Sequence, residues 1–363
     1  MKEFSISATQ FSVLISSYSF SAAPAALLSG VFIDLFDRKK YVSVALGLFI
    51  ITTFMCSLMN SYSALLIMRV FAGACGGVLT ATILAILSDL VAVERRGQAT
   101  STVFAAFSLA SIIGIPLGLI IADFFSYKWT FVFIALIAMI TFVLVQLYIP
   151  NLKEHLNKNK KNLWLDYKNV CLRKKYWPAF FLPTTVSFSA YLIIPFISTY
   201  LGLNLGCTEK DLSVIFFVAG FFTVVSMKVV GKLCDLYGSK KVYYIVATIS
   251  FIPVYLFTNL TSKNLVIIIF VSSFFQMFVA GRFIPSMTIA TKVPIQADRG
   301  AFMSIMHALR SLFSGFAALI AGLIITTSPS TGLLIGFHYT GYLSIFCTII
   351  SFYIMKKTSD LLI

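Results

Sequence analysis

The stretch SGVFIDLFDRKKY, Ser29–Tyr41, places two aspartates and three cations in a turn between two long apolar segments. A similar stretch, VGKLCDLYGSKKV, occupies Val230–Val242, with each position 201 residues further along the chain. The glycine, one aspartate and the last lysine recur at matching places. A charged turn that recurs in this way inside an apolar chain predicts a duplicated unit.

The composition predicts that this unit is helical and crosses a membrane. The chain is 59% hydrophobic and 11% charged, whereas soluble domains carry about 25% charged residues. Its mean hydropathy is +0.94. Apolar segments close to or longer than the roughly 20 residues that span a bilayer predict an all-α polytopic membrane protein with spans at 11–33, 41–59, 62–90, 99–122, 129–149, 177–202, 211–233, 242–259, 264–290, 301–326 and 332–355.

The formal charge of +15 is distributed unevenly among the loops between these spans. One set of alternate loops, counted with Lys232 at the edge of its span, holds 20 of the 28 lysines and arginines. The loops on the other side hold four, and the spans hold the remaining four. Basic loops stay on the cytoplasmic side, which explains the charge better than nucleic-acid binding does. We expect a multi-pass protein of the inner (cytoplasmic) membrane, with the C-terminus and the 150–176 segment in the cytoplasm and no nucleic-acid partner.

The repeat extends beyond the charged turn. Ser7–Gln10 predicts a capping box at a helix start, and Thr208–Asp211 has the same pattern 201 residues later. We therefore predict an N-terminal bundle of five spans in 1–149, a basic cytoplasmic linker in 150–176, and a C-terminal bundle of six spans in 177–363.

Four motifs carry a resemblance to a known family. GVFIDLFDRKK resembles the turn between helices 2 and 3 of the major facilitator superfamily, and IMRVFAGACGG (67–77) resembles its arginine-and-glycine motif in helix 4. GIPLG (114–118) is similar to a reduced antiporter motif of helix 5, and residues 281–304 are similar to the tenth-helix region of the arabinose-efflux-permease-like, drug:proton antiporter branch. The resemblance covers nearly the whole chain and implies a two-bundle fold of twelve helices.

Eleven spans are present of the twelve that the resemblance implies. The capping box at Ser7 matches the start of the second family helix, so we expect helix 1 to be absent from this chain. Either an upstream segment is missing or the protein is a shortened variant, and the sequence leaves both open.

Asp34 and Asp235 lie at helix C-termini, where the partial negative charge of the helix disfavours an aspartate. The resemblance implies that Asp34 faces the start of 301–326 and that Asp235 faces the start of 99–122. We predict a latch that closes the cytoplasmic side; the alternative is that these turns only set topology. The predicted latch residues are Gly30, Asp34, Arg38, Lys39, Lys40, Gly231, Asp235, Lys240, Lys241, Arg96 and Arg299.

Polar residues inside the spans are the candidates for a substrate cavity, because an ionisable group at a helix centre costs about 2.5–3.5 kcal/mol on insertion scales. The alternative for each is interhelical hydrogen bonding. The cavity candidates are Arg69, Ser187, Tyr191, Gln276, Arg282, His307 and Arg310. Small residues and a proline predict close packing and a bend at Gly73, Gly77, Gly114, Pro116 and Gly118.

Acidic residues are almost absent from the spans. Of thirteen Asp and Glu, only two fall within the span bounds: Asp89, at a cytoplasmic end, and Asp211, the first residue of its span. The surplus of cations favours an anionic or neutral substrate. The proton-exchanging acid of this family is often in helix 1, so coupling to protons stays open; His307 is a weak substitute.

We predict a secondary transporter that exports a small organic solute by alternating access. A drug-like compound and a sugar-type metabolite are both open, and the alternative is a non-transporting remnant or a membrane sensor of the same fold. The sequence shows no nucleophile–base pair, metal-ligand cluster or phosphate loop, so we expect no enzyme activity, no metal and no cofactor. The expected partners are the substrate, the bilayer and, if coupled, protons, and we expect a monomer.

Overall fold

The computed structural model describes residues 4, 6–33, 36–91, 106, 110–151, 163–295 and 298–362. Its α-helices are α1 (Ala8–Phe32), α2 (Arg38–Leu58), α3 (Tyr62–Leu90), α4 (Ile115–Phe124), α5 (Tyr127–Tyr148), α6 (Leu163–Leu172), α7 (Trp177–Tyr191), α8 (Ile197–Asn204), α9 (Glu209–Tyr237), α10 (Ser239–Ile249), α11 (Phe251–Thr258), α12 (Leu265–Gly281), α13 (Phe283–Ala290), α14 (Arg299–Ile324) and α15 (Phe337–Asp360). A π-helical turn, Ala110–Gly114, precedes α4. Strands β1 (Thr326–Thr327) and β2 (Leu334–Ile335) pair in an antiparallel hairpin.

The predicted spans agree with the helices. Within the described residues, ten helical segments are long and apolar enough to cross a membrane, and they match ten of the eleven predicted spans. The eleventh, 99–122, is described only in part: residues 110–122 form the π-helical turn and most of α4, whereas 99–105 and 107–109 lie outside the described residues. The prediction of an all-α polytopic membrane fold is confirmed.

Both predicted capping boxes are confirmed. The Ser7 hydroxyl accepts a hydrogen bond from the Gln10 amide at 3.2 Å, and the Ser7 amide donates to the Gln10 side chain at 3.0 Å. The Thr208 hydroxyl accepts from the Asp211 amide at 3.2 Å, and the Thr208 amide donates to the Asp211 carboxylate at 2.9 Å. Because each box satisfies donors that a helix start leaves unpaired, α1 and α9 begin at equivalent positions of the repeat.

Three predicted spans are divided by prolines. Helices α7, α10 and α12 each end four residues before Pro195, Pro253 and Pro285, respectively. A proline ring clashes with the carbonyl four residues earlier and removes one helical hydrogen bond, which explains each break. The break before Pro285 places Arg282 at the junction of α12 and α13.

Four helix contacts organise the bundle. Helix α1 packs against α3 and α14, and α9 packs against α12 and α4. The capping boxes make α1 the counterpart of α9, and the tetrapeptide GLII, at 118–121 in α4 and at 322–325 at the end of α14, makes α14 the counterpart of α4. The contact of α1 with α14 and the contact of α9 with α4 are therefore equivalent, and both join the predicted N-terminal half to the predicted C-terminal half.

The outer surface of the helices is apolar. Phe124, Leu147 and Val266 are among many large hydrophobic side chains that are 70–74% exposed. Helices that are apolar on all sides suit lipid, where each helix satisfies its own backbone hydrogen bonds.

Small residues let α1 approach α3 closely. A Cβ atom at Gly77 would lie 2.1 Å from the carbonyl oxygen of Ala22, and one at Gly73 would lie 2.3 Å from that of Tyr18. By contrast, a Cβ atom at Gly231 on α9, one of the predicted latch residues, would meet no atom of the described residues within 4 Å, so the described part of the chain shows no close helix approach there.

The remaining predicted packing residues lie near α4. A Cβ atom at Gly114 would have its nearest neighbour at 3.8 Å, an ordinary contact, and one at Gly118 would lie 3.3 Å from the Thr130 side chain. The Thr130 hydroxyl also donates to the Gly118 carbonyl at 3.1 Å, which joins α4 to α5. The backbone of Pro116 is in the first turn of α4, and its side chain is not described.

Gly77→Ala tests the close contact between α1 and α3. The added methyl group meets backbone that cannot move away freely, so we expect a loss of about 1–3 kcal/mol in stability. The measurement is the apparent melting temperature of the purified protein in detergent.

Gly231→Ala is the matched control for this test. Its methyl group meets no atom of the described residues within 4 Å, and replacing a helix-interior glycine by alanine gains about 0.5–1 kcal/mol. A Gly77→Ala protein that melts at or above the temperature of the Gly231→Ala protein would contradict the assigned contact.

Candidate functional site

Hydroxyl groups of α1 join the two predicted halves along α14. The Ser16 hydroxyl donates to the Gly315 carbonyl at 2.9 Å, and the Thr9 hydroxyl donates to the Gly322 carbonyl at 2.8 Å. A Cβ atom at Gly322 would lie 2.0 Å from the Ser12 hydroxyl oxygen. Such small residues and hydroxyl bonds favour tight association of helices in lipid. The sequence did not predict the role of this part of α14 in the contact.

Two arginines lie against aromatic rings near this contact. The Arg69 guanidinium carbon is 4.7 Å from the centre of the Tyr18 ring, and that of Arg310 is 4.7 Å from the centre of the Phe283 ring. Tyr191, at the end of α7, interacts electrostatically with both Tyr18 and Arg310. Tyr18, Arg69, Tyr191 and Arg310 form what we call the central cluster.

The central cluster brings together side chains from both predicted halves. Tyr18 and Arg69 belong to α1 and α3, whereas Tyr191 and Arg310 belong to α7 and α14. The sequence predicted three of the four as cavity candidates and missed Tyr18. A tyrosine in the apolar segment that follows the capping box was the only available signal, and many such tyrosines occur in membrane helices.

The electrostatic neighbours of the two arginines are uncharged side chains. Among the described residues, Arg69 interacts with Tyr18 and Cys56, and Arg310 interacts with Tyr191 and with His307, one turn earlier on α14. The Arg310 Nη1 atom is buried and makes no hydrogen bond to any described residue. Within the described residues, the two guanidinium groups of the cluster therefore offer more hydrogen-bond donors than the cluster has acceptors for them.

The central cluster does not include the other four cavity candidates, of which His307, Ser187 and Arg282 are buried. His307 and Ser187 are each 8% exposed, and Ser187 lies one turn before Tyr191 on the same helix. Gln276, on α12, has a buried Nε2 atom without a hydrogen bond to the described residues. Arg282 is 1% exposed and donates to the Thr348 hydroxyl at 2.5 Å, which places it between α12 and α15 inside the C-terminal half.

In the first predicted latch segment, the structure describes the residues around the start of α2. Asp37 caps this helix, since its carboxylate accepts a hydrogen bond from the Lys39 amide at 2.9 Å. Arg38 is buried, Lys40 is exposed, and the Lys39 ammonium donates to the Gln146 carbonyl at 2.8 Å. An acidic cap at a helix N-terminus is favourable, so Asp37 has a local role that the sequence analysis missed.

The second predicted latch segment is largely exposed. Asp235 and Lys241 are exposed, and Lys240 forms an ion pair with Asp360 at 3.4 Å, with both side chains about half exposed. Two of the remaining latch residues, Asp34 and Arg96, lie outside the described residues. The other two, Gly30 and Arg299, are described only in their backbone, which is helical.

A different ionic contact holds the linker to α14. Arg173, just after α6, forms a salt bridge with Asp298, and the Tyr176 hydroxyl donates to the same carboxylate at 2.6 Å. The hydrogen bond to Tyr176, followed by the charge of Asp298, raises the pKa of Arg173. We call Arg173, Tyr176 and Asp298 the linker clasp.

An apolar cluster surrounds the linker clasp. Val170 of α6 and Tyr176 are 1% and 0% exposed and belong to one apolar cluster with Phe302 of α14. Leu27 of α1 packs against this cluster. The Phe180 and Phe302 rings stack with their centres 4.4 Å apart. The linker, α1, α7 and α14 therefore meet at this end of the bundle. The sequence analysis treated 150–176 only as a basic linker, because nothing in it identified Asp298 as a partner.

Comparisons with known proteins agree with this architecture. The sequence matches the Major Facilitator Superfamily over residues 1–189 and again over 179–360. It is 28% identical to Multidrug resistance protein 3 of Bacillus subtilis (strain 168) over 150 residues, which is 41% of this chain and 29% of that protein. It is 29% identical to the uncharacterized MFS-type transporter YbcL of the same organism over 205 residues, or 56% of this chain and 51% of the relative.

The fold also matches a solved transporter structure. The D-xylose-proton symporter superimposes with a TM-score of 0.77 at 14% sequence identity, over 97% of this chain and 88% of the symporter. The chain spans about half or less of the length of the two Bacillus relatives. Because the family match extends over nearly the whole sequence, in two consecutive segments, the chain belongs to the Major Facilitator Superfamily.

Proposed function

We propose that this protein is a secondary transporter that exports a small organic solute by alternating access. The observation that carries the proposal is the pair of equivalent contacts, α1 with α14 and α9 with α4, beside a polar cluster built from both halves. Two halves that meet through equivalent surfaces can rock about a site held between them.

The linker clasp provides a control point for this motion. It ties the linker to the first turn of α14, and its apolar cluster adds Leu27 of α1. The distribution of basic loops supports placing this end in the cytoplasm, within the inner membrane. In this proposal the clasp holds the cytoplasmic ends of α1 and α14 together until solute exchange requires them to separate.

The latch predicted from the sequence remains part of the proposal. In this latch, the turns that contain Asp34 and Asp235 lie at the cytoplasmic ends of the two halves. Opening of the cytoplasmic side would separate each turn from its partner in the other half. The exposure of Asp235 leaves it accessible to a partner at the start of the predicted span 99–122.

The relatives support export of a drug-like compound over a sugar-type metabolite. The curated relative at 28% identity is named as a multidrug resistance protein. Residues 281–304 support the arabinose-efflux-like, drug:proton antiporter branch, with α1 as the second family helix. Coupling to protons belongs to the same proposal.

Spin-label distances test alternating access without a known substrate. One label pair replaces Tyr148 and Tyr237 at the linker end, and the other replaces Asn60 and Lys263 at the opposite end, in a background without the six native cysteines. We expect two distance populations for each pair, with the linker-end distance long when the opposite distance is short, because rocking opens one end as it closes the other.

Flux through vesicles completes this test. Inside-out vesicles that contain the protein should accumulate members of a panel of drug-like compounds, and empty vesicles provide the control. A single fixed distance for both label pairs would refute rocking. Exchange between two distances without movement of any solute would favour a membrane sensor instead.

Asp298→Ala tests the linker clasp. The substitution leaves the buried Tyr176 hydroxyl without its acceptor, which costs about 1–3 kcal/mol. We expect faster amide hydrogen exchange in α6, by about tenfold for each 1.4 kcal/mol lost. Mass spectrometry of peptides that cover 163–172 measures this rate.

Asp360→Ala is the matched control, because it removes an exposed partner of Lys240, and such surface pairs contribute about 0–1 kcal/mol. If both variants exchange α6 amides at the wild-type rate, the clasp does not hold the linker.

A further inference from the structure

The central cluster contains cations whose counter-charge is not provided by the described residues. Arg69 and Arg310 come from opposite halves, and their described electrostatic neighbours are tyrosine, cysteine and histidine side chains. The sequence places no acidic residue in the middle of any predicted span. A charge held away from water is unfavourable unless it is paired and hydrogen-bonded, so an anion that enters from outside the chain would stabilise these arginines.

The aromatic contacts of the arginines do not meet this requirement. Tyr18 and Phe283 present ring faces to the two guanidinium groups. A ring face attracts the positive charge, but the N–H donors lie in the plane of the guanidinium and need acceptor atoms there. Arg310 Nη1 is such a donor, since it is buried and makes no hydrogen bond to the described residues.

We propose that the transported solute is an organic anion whose carboxylate, sulfonate or phosphate group binds to the arginines of the central cluster, Arg69 and Arg310. This inference rests on the proposed function. Planar guanidinium groups bind such oxyanions with two parallel hydrogen bonds. The two arginines belong to different predicted halves, so each half offers a binding partner for the anion.

The aromatic rings around the arginines indicate the chemical character of the uncharged part of the solute. Tyr18, Tyr191 and Phe283 place aromatic surface next to the cations, and Tyr191 is 38% exposed at the end of its helix. Aromatic surface favours a flat, apolar body. The ligand class is therefore a small aromatic or otherwise apolar organic acid.

Binding of matched naphthalene probes tests this inference. The probes are 2-naphthoate and 2-naphthalenesulfonate, which are anions, and 2-naphthamide, which has the same ring system without the charge. Calorimetry on the purified full chain in detergent measures Kd. We expect both anions to bind at least about tenfold more tightly than the amide, since charged partners form the stronger hydrogen bonds with arginine.

Variants of the arginines locate the binding site. Arg69→Gln and Arg310→Gln should each weaken 2-naphthoate binding at least about tenfold, and Arg69→Lys should recover part of the loss. Lys228→Gln is the matched control: Lys228 is a span cation that is exposed on α9 outside the cluster, so its loss should leave Kd unchanged. Gel filtration confirms that each variant is folded.

The outcomes separate the ligand class from the transport proposal. Equal binding of 2-naphthoate and 2-naphthamide, or wild-type affinity in both glutamine variants, would overturn the anion site, even if the spin-label distances alternate. Arginine-dependent binding with fixed label distances and no flux of 2-naphthoate into vesicles would support the anion site and refute transport. Arginine-dependent binding together with flux supports both.

Discussion

The close contact between α1 and α14 is the interaction on which the rest of the structure depends. Lipid provides no hydrophobic drive for one apolar helix to bind another, so association relies on close packing and on hydrogen bonds between helices. Gly315 and Gly322 bring the backbone of α14 to the surface of α1, and the hydroxyls of Ser16 and Thr9 bond directly to its carbonyls. The contact joins the two halves without burying any charge.

The two faces of α1 position the central cluster. In an α-helix, side chains four residues apart share a face. Ser12 and Ser16 therefore face α14, whereas Tyr18 and Ala22 face the glycines of α3. The first face fixes α1 to the C-terminal half, and the second places the Tyr18 ring over Arg69. One helix thus brings an arginine of the N-terminal half towards Tyr191 and Arg310 of the other half.

The linker end of the bundle is joined differently from its centre. At the linker end, Arg173, Tyr176 and Asp298 combine a salt bridge with a largely apolar setting. In the centre, Arg69 and Arg310 contact ring faces and have no carboxylate among their described electrostatic neighbours. A site whose charges are already paired favours structural stability, whereas a site with spare donors favours binding of a ligand. This contrast supports the proposal that the linker clasp holds the helices together and that the central cluster binds the solute.

The sequence by itself determined the local features of this protein: the apolar spans, the capping boxes at Ser7 and Thr208, and the helix break near Pro285. Each depends on residues within a few positions of one another, so pattern and spacing are sufficient. Only the tertiary structure decided which distant side chains meet. Tyr18 with Arg69, and Arg173 with Asp298, are 51 and 125 residues apart, and their contacts depend on the facing and register of packed helices. No periodicity within a single helix specifies that register, because in lipid each helix is apolar on nearly every side.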